Sequence, residues 1–379
     1  MKILVLSTDY PPTRGGIARL TFETTRQLAE LGNEIVVIAT LERGMRADLD
    51  VEQRFQTIRI PATFGLREFR QWRELVQQVR SFRPDVIWSA AWYPGGVLAS
   101  FIPQVPFVFS TYGSEIFPNF NGIVQIIKAL LPFRRLVFGR AAAITALSKF
   151  TRDYIVRLGA PPGKIELIGG GVGQEWFEIE NRPVSPPVIL TVGRLDWHKG
   201  HEVVVRALPE VLRHCPEALY HIVGPDPGNW PRIRSLAEAL GVDSRVRYLG
   251  AVSEAELRTQ YAQASVFAML SRELPGRPDL LEGFGLTFLE ANAVGLPVVA
   301  GNSGGVSDAV DHEQTGYLVA PESVEDVAQA LSRLLTDRAL ARRLGEQGRH
   351  RALKDFTWQV QAKRLHELLE RAAQRHLGG

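Results

Sequence analysis

Residues 2–8, KILVLST, have the pattern of a buried parallel strand, because the stretch is short, continuously apolar and partly β-branched. A loop containing Gly15 and Gly16 follows, and apolar residues then recur at approximately helical spacing between residues 17 and 31. A second apolar strand at 34–40 completes a strand–helix–strand unit. This unit predicts a parallel sheet covered by helices, and therefore an α/β fold.

The same alternation runs through the first half of the chain and then starts again. A glycine- and proline-rich stretch, 169–187, interrupts it and is expected to connect two domains. The pattern predicts two doubly wound domains, 1–168 and 188–355, and a last helix within 356–379. The predicted elements are strands at 56–60, 85–89, 106–111, 141–146, 164–168, 188–192, 218–223, 245–249, 264–269, 297–300 and 316–319, with helices at about 66–82, 94–102, 121–139 and 148–158.

Length and composition are those of a globular protein with two domains. The chain has 379 residues, and domains contain roughly 150 residues each. Its single cysteine, Cys215, excludes an internal disulfide and favours a cytoplasmic location. No stretch approaches the roughly 20 apolar residues of a spanning helix, so we expect no membrane crossing.

Residues 1–170 carry 21 basic and 14 acidic side chains, which suggests either an anionic partner or a solvated, arginine-rich surface.

Residues 282–290, EGFGLTFLE, place two glutamates eight positions apart around a Gly-x-Gly turn that opens a predicted helix. The amides of residues 284–286 would point out of the helix start, where unpaired donors and the helix dipole favour a phosphate. Glu290, inside the helix, can accept a hydrogen bond from a sugar or ribose hydroxyl. The alternative is an ordinary amphipathic helix with two solvated glutamates.

Two cations follow the first strand of the second domain. Arg194 and Lys199 lie within GRLDWHKG, residues 193–200, at the carboxyl end of a predicted parallel strand. Two fixed positive charges suit a diphosphate, whose negative charge grows as its bond to a sugar breaks. The alternative is that both cations pair with acids or cap neighbouring carbonyls. Residues 303–305, Ser-Gly-Gly, also follow a strand and are expected to offer further amide donors.

Taken together, these motifs resemble glycosyltransferase family 4. The likeness covers essentially the whole chain and rests on Gly193-Arg194-Leu195 with Lys199-Gly200, on Glu282 and Glu290, on Ser303-Gly304-Gly305, and on the opening from Asp9-Tyr10-Pro11-Pro12 to Gly15-Gly16. The resemblance implies a GT-B fold, in which two Rossmann-like domains face an interdomain cleft, with the final helix crossing back to the first domain. It also implies retention of the anomeric configuration and a nucleoside diphosphate sugar as donor.

The resemblance also implies roles for individual residues. The Gly16 amide, Arg194 and Lys199 would hold the diphosphate. Glu290 would bind the ribose, and Glu282 would meet the sugar near its anomeric carbon. The implied catalytic residues are Glu282, Arg194, Lys199 and Tyr112, and the implied donor contacts add Gly15, Gly16, the base site at Gly250 and Val252, the amides of Phe284, Gly285 and Leu286, and Glu290.

One position departs from the family pattern. The family usually has a histidine where Tyr112 stands in STYGSE, residues 110–115, and the resemblance implies that this histidine assists at the acceptor side. A tyrosine can donate a hydrogen bond to a sugar hydroxyl, but with a pKa of about 10 it is a poor general base at neutral pH. We therefore expect the departing phosphate, or another residue, to take the proton of the acceptor.

The acceptor side is less defined by the sequence. Apolar and basic residues alternate at 67–83 and 123–140. This pattern fits either peripheral contact with an anionic membrane on its cytoplasmic face or a core-facing stripe with solvated arginines. No basic run or binding module indicates nucleic acid. Asp48 and Asp50 match a metal-binding Asp-x-Asp, but they lie in a predicted loop away from the donor elements, so we expect no metal.

We therefore expect a retaining hexosyltransferase that needs no cofactor. It would move mannose or glucose from a GDP- or UDP-linked donor to a hydroxyl of a glycan or lipid-linked acceptor. Residues 271–279 resemble bacterial transferases that build lipid-linked glycans, including phosphatidylinositol mannosyltransferases. Two rival functions are a sugar-nucleotide epimerase of the same architecture and a non-catalytic subunit of a polysaccharide assembly complex, which Tyr112 motivates.

Overall fold

The computed structural model describes residues 1–13, 15–41, 54–61, 67–113, 133–274, 276–277 and 280–377. The chain divides into two compact units. Unit 1 comprises Met1–Gly171 and Trp358–Gly379, and unit 2 is the continuous segment Val172–Thr357. Asp48, Asp50 and the part of the predicted 121–139 helix that precedes residue 133 lie outside the described residues.

The described part of unit 1 contains a parallel sheet of seven strands: β1 (Lys2–Ser7), β2 (Glu34–Leu41), β3 (Gln56–Pro61), β4 (Val86–Ser89), β5 (Phe107–Thr111), β6 (Ala143–Ala146) and β7 (Ile165–Leu167). Their spatial order is β3-β2-β1-β4-β5-β6-β7. The central strands are buried because apolar side chains fill both of their faces, as the opening strand predicts. The order reverses between β1 and β4, which makes that point a topological switch.

The described helices of unit 1 cover both faces of this sheet: α1 (Gly16–Glu30), α2 (Arg67–Ser81), α3 (Val97–Ala99), α4 (Phe133–Arg140), α5 (Lys149–Arg157) and the C-terminal helix (Trp358–Leu377). The helix predicted at 94–102 shrinks to the single turn α3, preceded by the turn Trp92–Gly96. Tyr93 is extended within that preceding turn. Proline disfavours helical geometry in the residue before it, and Pro94 follows Tyr93.

The C-terminal helix completes the hydrophobic core of unit 1. Leu365, Leu368 and Leu369 are at most 3% exposed and pack in one cluster with residues of β1, β2 and β4. The C-terminal helix also contacts α1. The side chain of Asn33, shortly after the end of α1, lies 3.3 Å from the ring of His366 on the C-terminal helix. The last residues of the sequence therefore belong to the same core as the first.

Unit 2 repeats the architecture with six parallel strands in its described part: β8 (Val188–Val192), β9 (Leu219–Val223), β10 (Val246–Gly250), β11 (Val266–Met269), β12 (Val298–Gly301) and β13 (Gly316–Val319). The spatial order is β10-β9-β8-β11-β12-β13, so the switch point lies between β8 and β11. Ligands of such sheets bind outside the carboxyl ends of the strands at the switch point. The loops that follow β8 and β11 are therefore the expected place for a site.

The described helices of unit 2 are α6 (Gln174–Phe177), α7 (His201–His214), α8 (Trp230–Ala239), α9 (Glu254–Gln263), α10 (Leu286–Val294), α11 (Val306–Ala309), α12 (Val324–Thr336) and α13 (Arg338–Asp355). Residues from Val172 onward, expected within the connection, pack as part of this unit. Trp176 in α6 is 1% exposed and meets the ring of Tyr261 edge-on at 5.0 Å. The two parallel sheets confirm the predicted α/β fold of two Rossmann-like units.

Candidate active site

The loop after β8 carries Arg194 and Lys199 and is held by hydrogen bonds from three directions. The amide of Leu195 donates to the Pro225 carbonyl at 3.0 Å, and the side chain of Asn229 donates to the Leu195 carbonyl at 2.7 Å. The amide of Arg272, in the loop after β11, donates to the His198 carbonyl at 2.8 Å. Both switch-point loops are thus fixed to one another, and side chains on them hold defined positions.

Lys199 and Glu282 meet at this switch point. The Lys199 Nζ lies 2.5 Å from Glu282 Oε2, and the two side chains are 17% and 14% exposed. Arg194 forms an ion pair with Asp196 while its side chain stays 58% exposed. Both cations therefore have acidic partners, the arrangement that the sequence left open as an alternative. A charge-assisted pair so little exposed to solvent is a strong local interaction, so Lys199 and Glu282 orient each other.

The glycines at 304 and 305 brace the backbone of Glu282. The Gly305 amide donates to the Glu282 carbonyl at 2.9 Å, and a Cβ on Gly304 would collide with the same carbonyl oxygen. The Ser303 amide donates to the Gly301 carbonyl at 2.9 Å. The expectation that this triplet offers free amides is therefore wrong for residues 303 and 305, because protein carbonyls already accept from them. The triplet instead fixes the position of the carboxylate-bearing residue.

The start of α10 leaves amides available for an anion. Gly285 precedes the helix with a φ of +96°, and a Cβ there would collide with the ring of Phe288, so glycine is required. Among the described residues, no acceptor is recorded for the amides of Phe284, Gly285 or Leu286. Unpaired amides at a helix N-terminus attract anions, as the sequence predicts for this turn.

Glu290 lies one turn inside α10 and is only 4% exposed. Its Oε2 accepts a hydrogen bond of 3.0 Å from the hydroxyl of Tyr261, which is fully buried on α9. A buried carboxyl group needs such a hydrogen-bond partner, because burying it unpaired costs free energy. The side chain of Glu290 is therefore buried and hydrogen-bonded, and it is not the solvated glutamate of the alternative interpretation.

The predicted base site lies on the turn from β10 to α9. Gly250 ends β10 with a φ of +71°, and its carbonyl accepts from the Gly224 amide at 2.8 Å. Val252 is half-buried just before Ser253, which caps α9 in a reciprocal pair with Glu256. The turn is thus rigid at both ends.

The other predicted residues belong to unit 1. Gly15 and Gly16 are exposed at the start of α1, directly after the loop that follows β1. Tyr112 follows the last residue of β5 and is 6% exposed. Each of the three lies beyond the carboxyl end of a strand near the centre of the sheet, the edge at which such sheets bind ligands.

Two buried histidines flank Lys199. Burial and, to a smaller extent, the nearby Lys199 ammonium lower the pKa of His198 to about 4. Burial likewise lowers the pKa of His201 to about 4. Both imidazoles are therefore neutral at physiological pH, so the positive charge at the site comes from Arg194 and Lys199.

Two supporting contacts could not be recognised in the sequence. One is the hydrogen bond of Tyr261 to Glu290. The other is a buried ion pair between Arg272 and Glu202, whose side chains are 7% and 2% exposed. The only local signal of the second pair is a glutamate within the apolar run of α7, HEVVVRAL. A buried charge of this kind requires a partner, but the sequence does not say which.

The described residues include no group of histidine, cysteine or acidic side chains arranged to hold a metal ion. Within the same ranges, no helix combines the length and apolar character needed to cross a membrane.

Family models match both halves of the chain. Residues 14–176 match the model described as Glycosyltransferase Family 4, and residues 172–351 match Glycosyl transferases group 1. A GDP-mannose-dependent alpha-(1-6)-phosphatidylinositol monomannoside mannosyltransferase of Mycobacterium tuberculosis is 30% identical over 97% of this chain and 98% of its own. A D-inositol 3-phosphate glycosyltransferase of Corynebacterium aurimucosum is 29% identical over 97% of this chain and 95% of its own.

Solved structures share the fold over nearly the whole chain. A glycosyltransferase of Rickettsia africae superimposes with a TM-score of 0.80 at 20% identity, and the match covers 98% of each chain. The sucrose-phosphate synthase of Thermosynechococcus elongatus gives 0.77 at 22% identity, with the same coverage. None of these named proteins is an epimerase or a non-catalytic subunit, so the comparisons do not support either rival. The chain belongs to glycosyltransferase family 4 and is a sugar-nucleotide-dependent, retaining hexosyltransferase of the GT-B fold.

Proposed function

We propose that the protein transfers mannose from GDP-mannose to a hydroxyl of a lipid-linked acceptor. The observation that carries the transfer chemistry of this proposal is the 2.5 Å contact between Lys199 and Glu282 at the switch point of unit 2. The bond that breaks in such a transfer joins a sugar carbon to a phosphate oxygen. A cation suited to the phosphate and a carboxylate suited to the sugar therefore need to lie side by side, as these two residues do.

The phosphate side of the proposed site consists of fixed positive groups. Arg194 and Lys199 bind the diphosphate together with the amides at the start of α10. Fixed donors and cations stabilise the charge that develops on the leaving group in the transition state. Because hydrogen bonds hold the loop around Leu195 before the donor arrives, little reorganisation is needed when that charge appears.

The sugar side is served by Glu282, whose carboxylate stabilises the positive charge that develops near the anomeric carbon. The bond from this carbon to the phosphate oxygen breaks, and the acceptor oxygen forms its bond on the same face, which retains the configuration. The acceptor proton passes to the departing phosphate oxygen. Tyr112 donates a hydrogen bond to a sugar hydroxyl and takes no proton, because a neutral phenol is a poor base.

The donor assignment is supported by the names of two relatives. The mannosyltransferase of Mycobacterium tuberculosis is named as GDP-mannose-dependent, and so is one of Mycolicibacterium smegmatis, which is 29% identical over 97% of this chain. We place the guanine at the turn formed by Gly250 and Val252, and the ribose at Glu290. UDP-glucose is the competing donor.

The lipid-linked acceptor is supported by the surface of α2. Phe69 is 62% exposed. Arg73, four residues later, and Arg80, a further seven residues along, are also exposed and lie on the same side of the helix. Phe101, 46% exposed, meets Trp72 of this helix edge-on. An apolar and cationic helix face suits the interface of an anionic membrane. We therefore include peripheral membrane contact through α2 in the proposal.

The test is a donor panel with purified protein. GDP-mannose, GDP-glucose, UDP-glucose and ADP-glucose are compared by thermal shift and by slow release of free nucleotide. We expect GDP-mannose to stabilise the fold most. Glu282→Gln should lower the turnover rate by about 10²–10³-fold while the donor still binds. Arg194→Ala should weaken donor binding by about tenfold, through the loss of charge-assisted hydrogen bonds.

Arg234→Ala is the matched control for Arg194→Ala. Arg234 is 67% exposed and pairs with Glu238 on the surface of α8, so its loss should leave donor binding unchanged. Stabilisation by UDP-glucose alone would overturn the mannose assignment. Equal turnover by Glu282→Gln and the wild type would overturn the site itself. A new sugar nucleotide formed without acceptor would indicate an epimerase.

A further inference from the structure

Tyr261 is locked between two aromatic rings. Trp176 of α6 meets it edge-on at 5.0 Å, and Phe267 of β11 stacks on it at 5.8 Å with an angle of 7° between the rings. Tyr261 itself is completely buried. A phenol held in this way has a single ring orientation, so its hydroxyl has a fixed position.

That hydroxyl lies at the carboxylate of Glu290. The distance from the Tyr261 oxygen to Glu290 Oε2 is 3.0 Å, whereas the Thr287 carbonyl lies farther away at 3.4 Å. A hydroxyl has one proton to donate, and an ionised carboxylate can accept about four hydrogen bonds. Accepting from Tyr261 therefore leaves the carboxylate able to accept from ribose hydroxyls as well.

The backbone that carries Glu290 is fixed by a second contact. The guanidinium of Arg349, on α13, donates to the Ala293 carbonyl near the end of α10 at 2.6 Å and also donates to the Phe177 carbonyl of α6. One side chain thus ties α6 to α10. Trp176, on that same α6, packs on Tyr261. Helix α10, which carries Glu290, and the phenol of Tyr261 are consequently fixed relative to each other.

We propose that Tyr261 is a positioning residue for the donor ribose, because it fixes the side chain of Glu290 in the orientation that accepts the ribose hydroxyls. The inference rests on the proposed binding of ribose by Glu290. Tyr261 itself does not touch the donor. Its contribution is to hold the acceptor carboxylate before the donor arrives, which lowers the entropic cost of forming the two hydrogen bonds.

The experiment removes one oxygen and measures recognition of the ribose. Tyr261→Phe keeps the ring between Trp176 and Phe267 and loses only the hydroxyl. Affinities for GDP and for 2′,3′-dideoxy-GDP are measured by calorimetry for the wild type, Tyr261→Phe and Glu290→Gln. We expect the wild type to prefer GDP by at least about tenfold, since each ribose hydroxyl donates to a charged acceptor. Tyr261→Phe should lose most of this preference with an unchanged affinity for the dideoxy nucleotide.

A second buried tyrosine supplies the matched control. Tyr220 on β9 is also fully buried, and its hydroxyl lies 3.0 Å from Thr191, away from Glu290. Tyr220→Phe should keep the wild-type preference for GDP even if it lowers the melting temperature. A merely structural role of Tyr261 would lower stability in the same way and leave the preference intact.

The outcomes separate the inference from the proposed function. If Glu290→Gln loses the preference and folded Tyr261→Phe retains it, the positioning role is wrong and the ribose site stands. If the wild type shows no preference, or Glu290→Gln retains it, the assignment of the ribose to Glu290 is wrong, and the positioning role is overturned with it.

Discussion

His201 connects the phosphate-side loop to the core of unit 2. Its Nε2 lies 3.3 Å from the Arg194 carbonyl, and its Nδ1 lies 3.3 Å from the Tyr220 hydroxyl. A carbonyl can only accept, so Nε2 carries the proton. Nδ1 of the neutral ring then accepts from the tyrosine. Burial lowers the pKa of His201 to about 4, so this neutral form persists well below neutral pH.

This histidine predicts a loss of stability in mild acid. The unfolded chain binds a proton at His201 below pH 6.5, whereas the folded protein resists it down to about pH 4. The contribution of His201 to the free energy of unfolding is therefore complete above pH 6.5 and declines as the pH falls from 6.5 towards 4. Between pH 7.5 and 5.5, the free energy of unfolding, measured with urea, should fall by about 1 kcal/mol more in the wild type than in His201→Gln.

The exposed His350 provides the control for this measurement. His350→Gln should show the same decline as the wild type. If His201→Gln also declines by the same amount as the wild type, the neutral, buried state assigned to His201 is wrong.

At the scale of single elements, α2 makes the membrane contact testable. Arg73→Gln combined with Arg80→Gln should lower binding to phosphatidylglycerol vesicles by about 10- to 30-fold, because each cation near an anionic surface contributes about 1 kcal/mol. Phe69→Ser should lower it further by removing the apolar contact. Vesicle co-sedimentation at low salt measures both effects.

The control for α2 removes the same charge elsewhere. Arg234 and Arg342 are 67% and 82% exposed on unit 2. Replacing both by glutamine should leave vesicle binding unchanged. Equal losses of vesicle binding in the two double variants would indicate a general charge effect. If the wild type does not bind the vesicles, the proposed membrane contact is wrong.

Elements whose ends are marked by particular residues could be predicted from the sequence. The structure has α10 at Leu286–Val294, as predicted, because Gly285 and Gly295 bracket it with φ values of +96° and +89°. The units β1–α1–β2 follow equally directly from local periodicity. The contacts around the glutamates could not be predicted. Tyr261 precedes Glu290 by 29 positions, and only tertiary packing of α9 against α10 brings them together.

On the scale of the whole molecule, the two units should differ when expressed alone. Residues 172–357 contain a complete sheet and core, so we expect this fragment to unfold cooperatively in thermal denaturation followed by circular dichroism. Residues 1–171 lack Leu365, Leu368 and Leu369 of the C-terminal helix. Burial of three leucines contributes about 6 kcal/mol, which is comparable to the total stability of a domain. This fragment should bind a hydrophobic dye and show no cooperative transition.

Joining residues 1–171 to 358–379 through a short glycine-serine linker should restore cooperative unfolding. Gly171 and Trp358 are in contact, since a Cβ on Gly171 would collide with the indole of Trp358, so the linker bridges a small gap. A fragment 1–171 that folds cooperatively by itself would contradict the role assigned to the C-terminal helix.

The return of the chain to its first sheet has a consequence for biosynthesis. A ribosome makes the strands of unit 1 early, yet the helix that covers β1 and β4 lies in the last 22 residues, Trp358–Gly379. Unit 2 is complete in the nascent chain before that helix is made. The unit that is synthesised first therefore matures only after this helix has been made, and until then part of one face of its sheet stays exposed as a surface for chaperones. A stop codon that removes residues from Trp358 onward would consequently damage the N-terminal unit.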